Sequence, residues 1–150
     1  VPPVLPATPG QLVLPDEVRS ALATDAARRA PEECCGVLLG RGDAVTRYVP
    51  LRNAAPERRH GFAFDDAEWL RTAREADAQA LEVLGIAHSH VDTDAAPSPT
   101  DLAFGDATRW MLIVPVIAGA PGAPRAWQRH ASGSWREARV RTSCAPPDQR

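Results

Sequence analysis

The chain has 150 residues, 44% apolar and 24% charged, proportions ordinary for one soluble globular domain with a core of its own. A formal net charge of −2 gives no electrostatic basis for a nucleic-acid or anionic-membrane partner. No apolar run approaches the roughly 20 residues that span a bilayer, and VPPVLPATPG lacks the basic start and apolar core of a signal peptide. The expected setting is therefore cytoplasmic, although a start at Val1 instead of Met leaves a removed upstream segment open. All seventeen basic residues are Arg.

The first fourteen residues hold four of the fifteen prolines and read as an extended arm, with the folded domain expected over 12–142 after an arm of 1–11. Pro15-Asp16 opens a helix in which Val18, Leu22, Ala26 and Ala30 recur at helical spacing, ended by Pro31. Cys34 to Leu39 reads as a buried strand closed by Gly40-Arg41-Gly42-Asp43, and Ala44 to Leu51 as its hairpin partner. Asn53 to Gly61 is a polar loop. Asp65 and Glu68 form a capping-box pattern, and the apolar spacing predicts a helix from there to about residue 83.

Leu84 to His90 is a second apolar strand, followed by a loop to Pro97 and a helix start at Ser98-Pro99-Thr100-Asp101 with Ser98 as N-cap. Met111 to Ile117 is a third buried strand. Arg125 to His130 and Ser134 to Val140 read as strands across the Ala131-Ser132-Gly133 turn, and 143–150 as a tail. Helices and strands alternating in this way predict an α/β fold, a single domain built on a mixed β-sheet flanked by helices. Cys34, Cys35 and Cys144 are not a disulfide framework, and buried free thiols are expected in preference to a bridge from the vicinal pair to Cys144.

His88 and His90 lie two apart at the end of an apolar strand, so both imidazoles point to one face. Asp101, eleven residues beyond His90 at a helix start, completes two imidazoles and a carboxylate, which suits zinc with a fourth position open for water. Glu33, at the mouth of the first strand, is the candidate base for that water, and the Ser98 hydroxyl a candidate oxyanion donor. Blander readings stand beside these. Ser98 and Asp101 fit a helix cap with no metal, and Glu33 alone fits a solvated helix-end carboxylate. His60 and His130 read as surface residues, and Trp69, Trp110, Trp127 and Trp135 as packing.

Glu33, then His88-Ser89-His90, seven residues, Ser98, two residues and Asp101 together resemble the pattern of the JAMM/MPN+ (Mov34-type) zinc metallopeptidases at every position. PEECCGVLLG (31–40), LRNAAP (51–56), LGIAHSH (84–90) and PSPTDL (97–102) resemble further stretches of that family, so the likeness covers roughly 12–140. The resemblance implies a cytidine-deaminase-like JAMM/MPN architecture, a Zn2+ cofactor on His88, His90 and Asp101, Glu33 as general base and proton shuttle, and Ser98 as transition-state stabiliser. One departure is Val91, which stands where the family usually has Pro and leaves the loop after His90 freer.

The resemblance further implies peptidase or isopeptidase action after the C-terminal Gly-Gly of a ubiquitin-like or sulfur-carrier β-grasp protein, by Glu-assisted attack of a zinc-bound water. A substrate tail laid along a sheet edge beside the metal is one expected docking mode, and the loop with Glu57, Arg58 and Arg59 a candidate grip. Monomer and homodimer both remain open. A ligand-free scaffold module and a small-amide zinc hydrolase are the competing classes; a deaminase ranks below both because its Cys-x-x-Cys ligands are missing.

Overall fold

The computed structural model describes residues 10–104 and 108–142. Most of the proline-rich arm, the tail and Cys144 lie outside them.

Among the described residues the elements run β1 (Gln11–Val13), α1 (Asp16–Arg29), β2 (Cys35–Arg41), β3 (Ala44–Leu51), α2 (Asp66–Ala78), β4 (Glu82–Val91), α3 (Pro99–Phe104), β5 (Trp110–Ile117), β6 (Ala120–Pro121), β7 (Arg125–Arg129) and β8 (Trp135–Arg141). The strands form one mixed sheet in the order β4-β2-β3-β1-β8-β7-β5-β6, and a parallel pairing of β4 with β5 closes it on itself. Neighbours on both sides explain why β2, β4 and β5 read as near-continuous apolar runs instead of alternating ones.

One helix lies on each face of this ring. α1 starts after Pro15 at φ −59°, with Asp16 and Glu17 in its first turn and Arg28 and Arg29 in its last, the charge order its dipole favours. Its Val18, Leu22 and Ala26 join one cluster with Leu38, Tyr48, Ala87, Leu112 and Ala126, drawn from five strands. On the other face Ala76 and Trp69 of α2 cover Val37, Leu39 and Leu51. Gly36 is required where it stands, because a Cβ there would run into the Val49 carbonyl and the Tyr48 ring.

Three expectations change. Gln11–Val13 is a strand, parallel to β8 and touching β3 at Val13, and Leu12 and Leu14 are fully buried; two leucines are too apolar to stay in a solvated arm. α2 stops at Ala78 instead of about 83. Gln79 caps it, Ala80 turns to φ 57°, and the Leu81 N–H returns to the Ala76 carbonyl, so Leu81 and Val83 pack on the sheet in place of extending the helix. Its capping box is half formed: Asp65 accepts the Glu68 N–H at 3.0 Å, but the Glu68 carboxylate accepts the Arg52 N–H at 2.7 Å. Cys34 and Cys35 are buried free thiols, as expected. No helix among the described residues is long and apolar enough to cross a membrane.

Candidate metal centre

β4 carries His88 and His90 on one face, and its pairing with β2 through His88 and with β5 through Val91 fixes both backbones. That pairing also makes β4 an interior strand, so the sheet-edge docking expected beside the histidines finds no edge there. Asp101 arrives from α3. Ser98 caps that helix with its Oγ accepting the Asp101 N–H at 3.0 Å, while Asp101 Oδ2 accepts the Ser98 N–H at 2.9 Å. The cap reading of this pair thus holds, and the same cap aims the Asp101 carboxylate at the histidines.

The three side chains converge. His88 Nε2 and His90 Nε2 are 3.3 Å apart, and Asp101 Oδ2 lies 3.2 Å from the first and 2.9 Å from the second. A tetrahedral ion with bonds of about 2.0 Å spaces its ligand atoms about 3.3 Å apart, so this cluster fits a small divalent metal. His90 Nδ1 donates to the Asp94 carbonyl at 2.7 Å, so a neutral ring binding a metal would present its Nε2 lone pair to the cluster. The Phe62 ring stacks on His88 at 4.4 Å between centroids. The His88 Nδ1 atom is buried with no hydrogen-bond partner among the described residues.

Glu33 faces the same cavity as His90, Ser98 and Asp101. Its backbone is fastened on both sides. The Glu33 N–H donates to the Arg58 carbonyl at 2.7 Å, and its carbonyl accepts from Asn53 Nδ2 at 3.0 Å. Asn53 also donates to the Gly61 carbonyl and accepts the N–H groups of Ala55 and Ala63, so one buried amide ties the loop to Glu33. Behind it, Ser89 Oγ accepts the Cys34 N–H at 2.8 Å. Glu33 as a residue is only 6% exposed, and its Oε1 has no hydrogen-bond partner among the described residues.

Electrostatics follow from this placement. Burial pushes the Glu33 carboxyl up to about 7; His90 opposes the rise and Asp101 adds to it. Burial acts the same way on Asp101, but hydrogen bonds from His88 and His90 outweigh it and hold that carboxyl well below the usual range. Burial lowers His88, whereas at His90 the Asp101 carboxylate and Asp94 carbonyl overcome burial and raise it. Two carboxylates with opposite displacements share one cavity, the pattern of a fixed ligand beside a proton carrier.

The structure therefore brings together His88, His90, Asp101, Glu33 and Ser98. Glu57, Arg58 and Arg59 separate: Arg58 is engaged by Glu32 at 3.1 Å, while Glu57 and Arg59 line cavities at the centre. His60 is exposed as expected, yet it lines the cavity beside Glu33. Asn53, Ser89 and Phe62 carry supporting contacts that sequence reasoning assigned no role. Asn53 had a signal in its place within LRNAAP; Phe62 had none. The tryptophans pack as expected, with Trp110 fully buried and Trp127 and Trp135 against Ala95, Met111 and Ile113.

Comparison with known proteins places these residues in context. Residues 15–130 match the family model of prokaryotic homologues of the JAB domain. The chain is 35% identical over 88 residues to a desampylase of Haloferax volcanii, covering 57% of this chain and 63% of that protein. It is 39% identical over 95 residues to the CysO-cysteine peptidase of Mycobacterium tuberculosis, covering 61% and 63%. The matched stretch thus spans less than two thirds of either relative's length. A solution structure from Desulfitobacterium hafniense superposes with a TM-score of 0.69 at 25% identity, over 86% of this chain and 90% of that one.

Proposed function

The chain belongs to the prokaryotic homologues of the JAB domain, and from that premise we propose that it is a zinc-dependent peptidase acting after the C-terminal Gly-Gly of a ubiquitin-like or sulfur-carrier β-grasp protein. The observation that carries the reading is the convergence of His88 Nε2, His90 Nε2 and Asp101 Oδ2 within 3.3 Å of one another, with Glu33 in the same cavity. The relatives' names, desampylase and CysO-cysteine peptidase, support the reaction and the substrate class.

His88, His90 and Asp101 would hold the ion, two nitrogens and one oxygen being the donor set of hydrolytic zinc sites. Bound there, zinc supplies Lewis acidity that makes water nucleophilic near neutral pH and polarises a carbonyl. Glu33 takes the proton from the attacking water, which its displacement to about 7 suits, and returns it to the departing nitrogen. Ser98 Oγ already accepts the Asp101 N–H, so its own O–H remains to donate to the developing oxyanion. Asn53 and Ser89 act through Glu33 by fixing its backbone.

The test is cleavage of a β-grasp carrier fused through its Gly-Gly end, with zinc measured in the same preparations of wild type and Glu33→Ala. About one zinc per chain in both, with chelator-sensitive cleavage only in the wild type, is the expected result. A wild type that holds zinc but leaves every such fusion intact would overturn the peptidase reading.

A further inference from the structure

The two histidines at the centre are held in different ways. His88 is fully buried in the sheet with the Phe62 ring stacked on it. His90 is oriented through its Nδ1, which donates to the Asp94 carbonyl at 2.7 Å. A histidine held through its second nitrogen has its tautomer and ring direction set by that acceptor. The acceptor here sits between β4 and α3, outside any helix or strand, where Asp92, Thr93 and Asp94 are all exposed. Val91 gives this stretch a freer backbone than a proline would, so its order comes from contacts.

Two anchors supply those contacts. At the near end Asp92 stands at φ 57°, a conformation aspartate takes up more readily than most residues. Its N–H donates to the Val116 carbonyl at 2.7 Å, and its Oδ1 accepts the Ala118 N–H at 3.0 Å. At the far end Ala95 is buried against Met111 and Ile113, and its carbonyl accepts the Trp127 indole N–H at 3.1 Å. The indole is braced in turn. Arg125 lies over its ring at 5.0 Å and is itself fixed by Glu137 at 2.7 and 2.8 Å. Asp94 falls between the anchors, so together they set the direction of its carbonyl.

We infer that Asp92–Ala95 is a two-anchor latch, and that Trp127 on β7 and Asp92 are positioning residues for His90. Trp127 lines neither cavity at the centre and acts through Ala95 and Asp94. A loosened latch lowers the fraction of molecules whose His90 is set for an ion, and the apparent affinity falls with that fraction. This inference rests on the metal reading above and adds what keeps one of its ligands in place.

Two readouts test it: zinc affinity by competition with a chelator, and the His90 Nδ1–H proton resonance of the metal-free protein. Trp127→Phe removes the indole N–H while keeping an aromatic ring in the cluster. It should weaken zinc binding about ten-fold, the scale for groups that orient a ligand, and abolish the resonance by letting it exchange with water. Trp135→Phe, altered in the same apolar cluster, should leave both readouts as in the wild type. A resonance missing from the wild type or unchanged in Trp127→Phe overturns the latch. So does unchanged zinc affinity in that variant, or equal losses in both tryptophan variants, which would reduce Trp127 to packing. A wild type that binds no zinc, with a resonance that still depends on Trp127, removes the metal reading and leaves the latch standing. Should Trp127→Phe fail to fold, Asp92→Gly tests the exposed anchor, since glycine accepts φ 57° without strain. Both readouts should then move in the same direction, and unchanged values there overturn the inference.

Discussion

Two buried polar clusters lie on opposite faces of the same sheet, and only one of them is complete. Under α1, the Tyr48 hydroxyl donates to Asp25 Oδ2 at 2.6 Å and Arg29 Nε donates to Asp25 Oδ1 at 2.9 Å. The one carboxylate has both oxygens engaged and a cation beside it, so the cluster is a closed structural unit. At the end of β4, two carboxylates share a cavity, three ligand atoms crowd together, and Glu33 Oε1 and His88 Nδ1 are buried without partners among the described residues. Native folds keep few such atoms. A fold that satisfies the first cluster and leaves the second open has been shaped at the second for something other than stability.

That contrast can be broken in graded steps. The largest effect is expected from His88→Ala, which removes one of three ligands. Hydrolysis should fall to background, and the rise in thermal midpoint that zinc gives the wild type should vanish. Normal zinc stabilisation in this variant would move the metal elsewhere. Next is Glu33→Gln, which keeps shape and ligands but cannot accept a proton; kcat should drop by about a thousand-fold with zinc content unchanged. A drop of less than ten-fold would assign the proton transfer to another group.

The same Glu33→Gln change has an opposite sign in stability. The Glu33 carboxyl rises from 4.5 to about 7 on folding, so below pH 4.5 its charge costs nothing. Between about 4.5 and 7 the unfolded state loses its proton first, and native stability falls. The metal-free variant should therefore be more stable than metal-free wild type above pH 7, by at most about 3 kcal/mol, and equal to it below pH 4.5. Denaturant titrations at both pH values check this, and a pH-independent difference would contradict the charge account. Tyr48→Phe is the smallest change and the control. It leaves a buried carboxylate oxygen short of a donor, costing about 2 kcal/mol, with zinc content untouched. A loss of zinc in Tyr48→Phe would mean the two clusters are coupled.

How far the sequence reaches differs between fold and centre. Helix α1 and the β2–β3 and β7–β8 hairpins are legible because proline, glycine and apolar spacing mark their ends locally. β1 is not, since its partners β8 and β3 stand far along the chain and only Leu12 and Leu14 hint at burial. Leu81 and Leu84 continue a helical period by coincidence, which stretched α2 into β4. At the centre, His88 and His90 declare a shared face by spacing alone, and the capping pattern places Asp101 at a helix start. The ring closure by the β4–β5 pair, the Asn53 clasp on Glu33 and the Phe62 stack arise from tertiary contacts that no local pattern encodes.

The most direct measurement is metal content joined to coordination: elemental analysis of zinc in purified wild type and Asp101→Ala, with X-ray absorption on the zinc of the wild type. The account predicts about one zinc per wild-type chain, bound by two imidazole nitrogens and a carboxylate oxygen, and a clear loss in Asp101→Ala. A folded wild type that binds no zinc, or zinc on sulfur ligands and indifferent to Asp101, would contradict it.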